Sequence, residues 1–126
     1  MDNLTVLLVD DDDDCRLPLR LILERRGVRV VEASGGAEAV EVARRERPPL
    51  IFIDLLMPDL NGREVARRIR ESGGVCDDAV LVAYSALANS DVKSEMLEGG
   101  LFNRYIDKVC ILDELDDLLR PFRPTP

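Results

Sequence analysis

Five polar residues closely follow short apolar runs of this chain, where their side chains could do chemistry: Asp10, Asp11, Asp54, Ser85 and Lys108. Carboxylates repel one another, and two such charges about 4 Å apart cost roughly 4 kcal/mol at an effective dielectric near 20. A hard divalent cation removes that cost, and oxygen ligands suit Mg²⁺, whose remaining waters a phosphate oxygen can replace. If these side chains lie together in one crevice, their types predict phosphoryl chemistry at a Mg²⁺ site.

The expected nucleophile is Asp54, because it stands alone at the end of a strongly apolar run. A carboxylate that attacks phosphorus forms an acyl phosphate, and an ionised carboxylate has no proton to remove. Catalysis would then consist of positioning and charge neutralisation, with Lys108 as a second positive charge and Ser85 as a donor to a phosphoryl oxygen. Taken singly, each residue has a plainer explanation as a strand end, a turn residue or a surface lysine.

Composition narrows the class of protein. The chain of 126 residues is one ordinary domain, and its 46% hydrophobic and 33% charged residues are typical of a globular fold. Histidine is absent, which excludes a Ser-His-Asp triad, a histidine general base and histidine metal ligands. The net charge of −8 disfavours direct binding to nucleic acid or to an anionic membrane, since both need a positive field.

Cysteine usage and the N-terminus favour a cytoplasmic protein. The three cysteines are odd in number and widely spaced, so they predict neither a disulfide framework nor a zinc site. The N-terminal apolar run lacks a preceding basic region and is not expected to be a signal peptide. No apolar stretch approaches transmembrane length.

The apolar pattern predicts five alternating strands and helices. The strands are expected at residues 4–9 (β1), 28–31 (β2), 50–53 (β3), 80–83 (β4) and 102–106 (β5). The helices are expected before Gly27 (α1) and at about 36–45 (α2), 61–72 (α3), 90–98 (α4) and 111–119 (α5). Five βα units give an α/β fold, a parallel sheet with helices on both faces. A dinucleotide-binding fold is disfavoured, because no G-x-G-x-x-G follows β1.

In such a sheet the carboxyl ends of β1, β3, β4 and β5 converge at one edge, which would bring the five polar side chains together. Around β3, Pro58 fixes a backbone angle and Gly62 permits conformations that other residues resist. In the acidic run after β1, residues 12–14 are expected to form a solvated loop in which one aspartate caps α1.

The helical pattern also predicts which side chains face inward. For α1 the expected inner residues are Leu17, Leu21 and Ile22, with Arg16 and Arg20 outward. Pro18 predicts a late start or a local kink in α1. For the other helices the pattern predicts a Ser34 cap on α2 and the following inner residues: Ala37, Val40 and Ala43 (α2), Val65, Ala66 and Ile69 (α3), Val92, Met96 and Leu97 (α4), and Leu112, Leu115 and Leu119 (α5).

Four short motifs follow the strands in order: Val9-Asp10-Asp11, Asp54-x-x-Met57-Pro58-x-x-x-Gly62, Ser85-Ala86 and Tyr105-x-x-Lys108. Each is weak alone, but together they are specific. With them the chain resembles the CheY-like receiver domain of bacterial two-component response regulators along nearly its whole length. The resemblance implies the flavodoxin-like, doubly wound sheet with strand order 2-1-3-4-5.

The resemblance also implies a mechanism. Asp54 would accept a phosphoryl group from a phosphohistidine on a sensor histidine kinase or a histidine phosphotransfer protein. Asp11, Asp54 and the backbone carbonyl of Leu56 would bind Mg²⁺ directly, and Asp10 would act mainly through water. Ser85 and Lys108 would respond to the phosphoryl group. The side chain of Tyr105 would change rotamer as Ser85 moves, remodelling the α4-β5-α5 face that signals to a downstream protein. A receiver is then a phosphoacceptor rather than an enzyme, although it catalyses its own phosphoryl transfer.

The chain departs from the family pattern at a few positions. Val109 stands where the family usually has a proline after the lysine, so we expect a trans Lys108-Val109 bond. Leu56 and Leu87 are apolar where the family's side chains influence hydrolysis of the acyl phosphate, which predicts slow self-dephosphorylation.

Several alternatives stay open. Residues 1–120 form the expected receiver domain and 121–126 a Pro-rich tail or the start of a linker, so the chain is a single-domain regulator or one domain of a longer protein. An enzyme alternative is a Mg²⁺-dependent phosphatase of the haloacid dehalogenase type with Asp10 as nucleophile. A non-catalytic alternative is a degenerate receiver that docks without phosphorylation. A homodimer through the α4-β5-α5 face is a further alternative.

Overall fold

The computed structural model describes residues 4–55, 62–71, 79–85, 94, 97–100, 102–107 and 111–122, with the backbone alone at 85, 99 and 111–113. Five strands form one sheet in the order β2-β1-β3-β4-β5, and every neighbouring pair is parallel. The predicted strand order is therefore confirmed. The strands span Thr5–Val9 (β1), Arg29–Ala33 (β2), Leu50–Asp54 (β3), Val80–Ser85 (β4) and Arg104–Asp107 (β5).

The helices of the described residues are α1 (Asp13–Arg25), α2 (Gly36–Glu46), α3 (Gly62–Glu71) and α5 (Ile111–Leu119). Most of the predicted α4, with two of its three expected inner residues, lies outside the described residues. The third, Leu97, is exposed, so its predicted burial is wrong. Short 3₁₀ turns occupy Glu98–Gly100 and Arg120–Phe122. In the part of the chain that the structure describes, no helix has the length and apolarity needed to cross a bilayer.

The core lies on both faces of β3, whose five residues are all buried. Alternate residues of a strand point to opposite faces, so Ile51 and Ile53 pack into one cluster while Leu50 and Phe52 pack into the other. Residues of α2 and α3 complete the first cluster, and residues of α1 and α5 complete the second. This two-sided burial explains why β3 is a continuous apolar run, and it confirms helices on both faces.

The predicted inner face is right for Ile22, which packs partly buried against the core, and wrong for the other two residues of α1. Its buried residues are Arg16, Leu19 and Leu23, whereas Leu17 and Leu21 are 41% and 45% exposed. Arg16 is buried because its guanidinium finds acceptors there, a possibility that an apolar periodicity does not register. The late start expected from Pro18 is also wrong. The helix begins at Asp13 and continues through Pro18 to Arg25.

The predicted cap of α2 is also wrong. The helix is capped by Gly35, which makes no side-chain cap bond, and Ser34 instead donates through its backbone N–H and its hydroxyl to Glu38. Ala37 is exposed, whereas Ala43 is buried as expected. For the last two helices the described inner residues are confirmed: Val65, Ala66 and Ile69 of α3, and Leu115 and Leu119 of α5, are all buried. Leu112 is not among the described side chains.

Candidate functional site

The neighbouring strands β1 and β3 end side by side, with Val9 opposite Ile53 in the register. The acids that follow are therefore close, and carboxylate oxygens of Asp10, Asp11 and Asp54 all lie within 4.8 Å of one another. Asp10 is fully buried and Asp54 is only 7% exposed, while Asp11 is exposed to solvent. This edge of the sheet thus presents three carboxylates from two strands, one of them open to water.

The spacing of these oxygens fits a shared divalent cation. Oxygens on opposite sides of Mg²⁺, each about 2.1 Å from it, lie about 4.2 Å apart, so little movement separates the observed spacing from one octahedron. The repulsion between two of the charges at the observed spacing is roughly 3–4 kcal/mol at an effective dielectric near 20. An all-oxygen site that relieves such repulsion suits Mg²⁺ better than a softer metal.

The carboxylate of Asp10 is held from two sides. Its Oδ1 accepts a hydrogen bond from the backbone N–H of Asp12 at 3.0 Å, and its Oδ2 accepts one from the hydroxyl of Tyr84 at 3.0 Å. Its backbone N–H donates to the carbonyl of Ala33 on β2. Burial, with the charge of Asp10 and the hydrogen bond to it, holds the pKa of Tyr84 far above its ordinary value of 10.0, so the hydroxyl keeps its proton.

The start of α1 is built from the acidic run. Asp12 is the N-cap, and its carboxylate accepts hydrogen bonds from the backbone N–H groups of Asp14 at 2.9 Å and Cys15 at 3.3 Å. One of residues 12–14 therefore caps the helix, as the sequence predicted. The expected loop is wrong for Asp13 and Asp14, which lie in the first turn of α1, where the positive end of the helix dipole favours them.

The guanidinium of Arg16 ties this loop to the sheet. It donates to the backbone carbonyl of Asp10, to Asp13 and, at 2.9 Å, to Glu32 on β2. Arg20 also donates to Glu32, at 3.1 Å. Burial opposes ionisation of Glu32, but hydrogen bonds from the two arginines hold the pKa of that carboxyl below its ordinary value. The expectation that Arg16 and Arg20 point outward is therefore wrong for Arg16.

Gly62 lies against the backbone that follows β3. Its N–H donates to the carbonyl of Leu55 at 3.0 Å. A Cβ at Gly62 would lie 2.5 Å from the carbonyl oxygen of Asp54 and 2.8 Å from the Cα of Leu55. The sequence predicted glycine here for its conformational freedom, but this close approach is what requires it.

The remaining predicted site residues are described only in part. Ser85 ends β4 opposite Asp107 in the register, and its side chain is not among those described. The phenol of Tyr105 is buried in β5, and burial, with the nearby charge of Asp107, raises its pKa. Leu56, Leu87 and the Lys108-Val109 bond lie outside the described residues. The roles of Ser85, Lys108 and Leu56, and the trans bond, therefore stay predictions.

Two residues with clear contacts at this edge were missed by the sequence reasoning. Tyr84 stands next to Ser85 at the end of an apolar run, and a phenol at the end of a buried strand needs a partner for its hydroxyl. The helical pattern predicts Arg16 on the outer side of α1. A long cation close to five consecutive aspartates was the signal that could have turned it inward.

Comparison with known proteins covers nearly the whole chain. Residues 6–120 match the response regulator receiver domain family. The chain is 36% identical over 110 residues to the response regulator MprA of Mycobacterium leprae, covering 87% of this chain and 46% of that protein. It is 26% identical over 125 residues to the sporulation initiation phosphotransferase F of Bacillus subtilis, covering 98% and 97%.

Solved structures give the same picture. The receiver domain of the sensor histidine kinase PA1611 of Pseudomonas aeruginosa, which has a magnesium ion coordinated in its active site cleft, superposes with a TM-score of 0.81 at 28% identity. The match covers 95% of this chain and 97% of that one. Several of the curated relatives are longer, and this chain spans less than half the length of MprA.

Proposed function

The chain belongs to the response regulator receiver domain family, and from that membership we propose that Asp54 accepts a phosphoryl group from a phosphohistidine. The donor would be a sensor histidine kinase or a histidine phosphotransfer protein. The observation that carries the proposal is the meeting of Asp10, Asp11 and Asp54, whose carboxylate oxygens lie within 4.8 Å of one another at the ends of β1 and β3. Asp54 is the proposed acceptor because it ends the central buried strand.

The proposed transfer is a displacement at phosphorus. A carboxylate oxygen of Asp54 forms a bond to phosphorus as the bond from phosphorus to the imidazole nitrogen breaks, and the imidazole leaves with the electron pair. The product is an acyl phosphate on Asp54. Because Asp54 is almost buried, few waters compete with the phosphoryl donor for its carboxylate.

The residues at the sheet edge fit a Mg²⁺ ion. We assign Asp11, Asp54 and the backbone carbonyl of Leu56 as direct ligands, and Asp10 as a ligand through water. When bound, the ion supplies positive charge against the transferred group and relieves the repulsion among the acids. Lys108 is proposed to add a second positive charge, and Ser85 to donate to a phosphoryl oxygen.

The proposed output is a change of surface. Ser85 lies on β4 and Tyr105 on the adjacent strand β5, where Tyr105 pairs with Ala83 in the register. A movement of Ser85 toward the phosphoryl group would open space next to the edge strand β5. A rotamer change of Tyr105 would then alter the α4-β5-α5 face. A downstream protein, or a second copy of the chain, would bind the altered face.

Family membership also bears on the type of activity, the domain bounds and the location of this chain. As a receiver domain the chain is a phosphoacceptor rather than an enzyme with a separate substrate. We propose that it catalyses its own phosphorylation and loses the phosphoryl group slowly, because Leu56 and Leu87 cannot orient water. We further propose a receiver domain at residues 1–120, a tail or linker at 121–126, a cytoplasmic location, and no direct contact with nucleic acid or membrane.

The two alternatives are not favoured. A haloacid dehalogenase-type phosphatase would use Asp10 as nucleophile and leave Asp54 without a purpose, whereas the matched family covers residues 6–120. A receiver that docks without phosphorylation would not need three acids brought to one point, and here all three are present together.

Labelling with acetyl phosphate and Mg²⁺ tests the proposal. Mass spectrometry of the intact chain and of its peptides should find one phosphoryl group, on Asp54. The label should disappear in Asp54→Asn and persist in Asp14→Asn, which neutralises an exposed acid nearby. Transient label on Asp10, or no label in the unaltered chain at saturating Mg²⁺, would overturn the assignment of Asp54.

A further inference from the structure

We propose that Tyr84 is a positioning residue, whose hydroxyl fixes the carboxylate of Asp10 and thereby sets the affinity of the cation site. The inference rests on the proposed function for the existence of that site, and deepens it by adding a residue from β4. The observation behind it is one hydrogen bond, from the Tyr84 hydroxyl to Oδ2 of Asp10 at 3.0 Å, between residues 74 positions apart in the sequence.

The phenol ring of Tyr84 is held in one position by its packing. The residue is only 3% exposed, and its ring packs edge-on against that of Phe52, with the ring centroids 5.9 Å apart and the planes at 86°. Tyr84 also pairs with Asp54 in the register of β3 and β4. The ring is therefore fixed by the core below the site, and its hydroxyl emerges beside the acids.

The carboxylate of Asp10 is held between two separate elements. Its Oδ1 accepts from the backbone of Asp12 at the start of α1, and its Oδ2 accepts from Tyr84 on β4. Two bonds to different oxygens restrict rotation of the carboxylate in a way that either bond alone would not. A fully buried carboxylate that lost one of these donors would also lose part of the compensation for leaving water.

Such partners of metal-binding groups commonly change metal affinity by 10–100-fold when they are removed. Because Asp10 is proposed to act through water rather than by direct contact, we place the effect of Tyr84 near tenfold. The same strand end carries Ser85 next to Tyr84, so β4 would touch both the cation site and the phosphoryl group.

Calorimetric titration with Mg²⁺ tests the role of Tyr84. Tyr84→Phe removes the hydroxyl and keeps the ring, so its dissociation constant for Mg²⁺ should rise about tenfold. The matched control is Val82→Ala, two residues earlier and in the same cluster of the core. The control should lower stability toward urea but leave the Mg²⁺ dissociation constant within about twofold of the unaltered chain, because it changes packing and no polar group.

The same substitution in an Asp10→Ala variant distinguishes positioning of the Asp10 carboxylate from a general loss of stability. In Asp10→Ala the carboxylate is gone, so adding Tyr84→Phe should change the Mg²⁺ dissociation constant less than about twofold. An equal tenfold loss in both backgrounds would overturn the inference, as would Tyr84→Phe binding Mg²⁺ as tightly as the unaltered chain.

These outcomes are distinct from failure of the proposed function. If the unaltered chain binds Mg²⁺ and Asp11→Ala abolishes binding, an unchanged affinity in Tyr84→Phe refutes only the role of Tyr84. If the unaltered chain binds no Mg²⁺, both the cation site and the role of Tyr84 are refuted.

Discussion

The two junctions that carry the acids are held by different forces. Between β1 and α1, hydrogen bonds hold the chain in place. The Tyr84 hydroxyl and the backbone N–H of Asp12 donate to the Asp10 carboxylate, and Arg16 donates to the Asp10 carbonyl. Between β3 and α3, the backbone of Gly62 lies directly against Asp54 and Leu55, with no room for a methyl group. Loss of one charge or one hydroxyl can therefore weaken the first junction, whereas added volume at Gly62 disrupts the second.

The largest effect should come from filling the space at the second junction. Gly62→Ala places a Cβ against backbone atoms, which cannot rotate away, so we expect a loss of about 3 kcal/mol in the free energy of unfolding. Urea unfolding measures the loss, and Mg²⁺ affinity should fall with it because the Asp54 backbone must move.

The control for Gly62 is Gly27, which has a φ of +80° and nothing within 4 Å of the place that a Cβ would take. Gly27→Ala should cost about 1 kcal/mol through backbone strain, with no change in Mg²⁺ affinity. Equal losses at the two glycines would refute the steric account of the second junction.

Removing the buried guanidinium should give the next largest effect. Arg16→Met keeps much of the side-chain volume but deletes donors to the Asp10 carbonyl and to Glu32, so we expect a loss of about 2 kcal/mol in urea unfolding. Arg20→Met, which removes a more exposed partner of Glu32, should cost less than about 1 kcal/mol. A larger loss of stability in Arg20→Met than in Arg16→Met would contradict the conclusion that Arg16 ties the loop after β1 to the sheet.

Loss of the helix cap should be smaller. Asp12→Ala removes the acceptor for two backbone N–H groups at the start of α1 and should cost about 1 kcal/mol. Asp14→Ala, inside the first turn, should cost only about 0.3 kcal/mol, since it loses little more than its interaction with the helix dipole. Thermal or urea unfolding distinguishes the two, and a reversed order would argue against Asp12 as the cap.

The smallest effect concerns pH and should appear at the first junction only. The pKa of Glu32 is lowered in the folded chain from an ordinary value of 4.5. Its contribution to stability is therefore fully present above pH 4.5 and is lost as the pH falls through the lower folded value. The difference in unfolding free energy between the unaltered chain and Glu32→Gln should shrink below about pH 4.5.

Gly62→Ala is the control for the pH dependence of Glu32→Gln. The cost of the added methyl should not vary with pH over the same range, because it arises from contact rather than charge. A cost of Glu32→Gln that stays constant from about pH 7 to about pH 3 would mean that the ion pairs with Arg16 and Arg20 contribute nothing to stability.

The sequence predicted the sheet well because alternation and apolar runs report burial directly. The continuous run of β3 and the order of five βα units led to the observed topology, and the resemblance supplied the strand order. The meeting of Asp10, Asp11 and Asp54 follows from that topology alone, since the ends of adjacent parallel strands share an edge.

The failures arise where polar contacts between distant residues outweigh local pattern. Arg16, expected on the outer side of α1, lies inward because Glu32, sixteen residues away, offers an acceptor. The bond from Tyr84 to Asp10 joins strands that are not neighbours in the sheet order, so no local pattern could reveal it. The need for Gly62 is likewise set by backbone packing, which sequence spacing does not register.

The central claim is that acids from β1 and β3 bind one cation together. Calorimetric titration of the unaltered chain with Mg²⁺ should give one ion per chain, and both Asp11→Asn and Asp54→Asn should weaken binding more than about tenfold, since each removes a charged ligand. Asp14→Asn, which neutralises an exposed acid of the same run, should bind as the unaltered chain does. Full affinity in either Asp11→Asn or Asp54→Asn would contradict a shared ion.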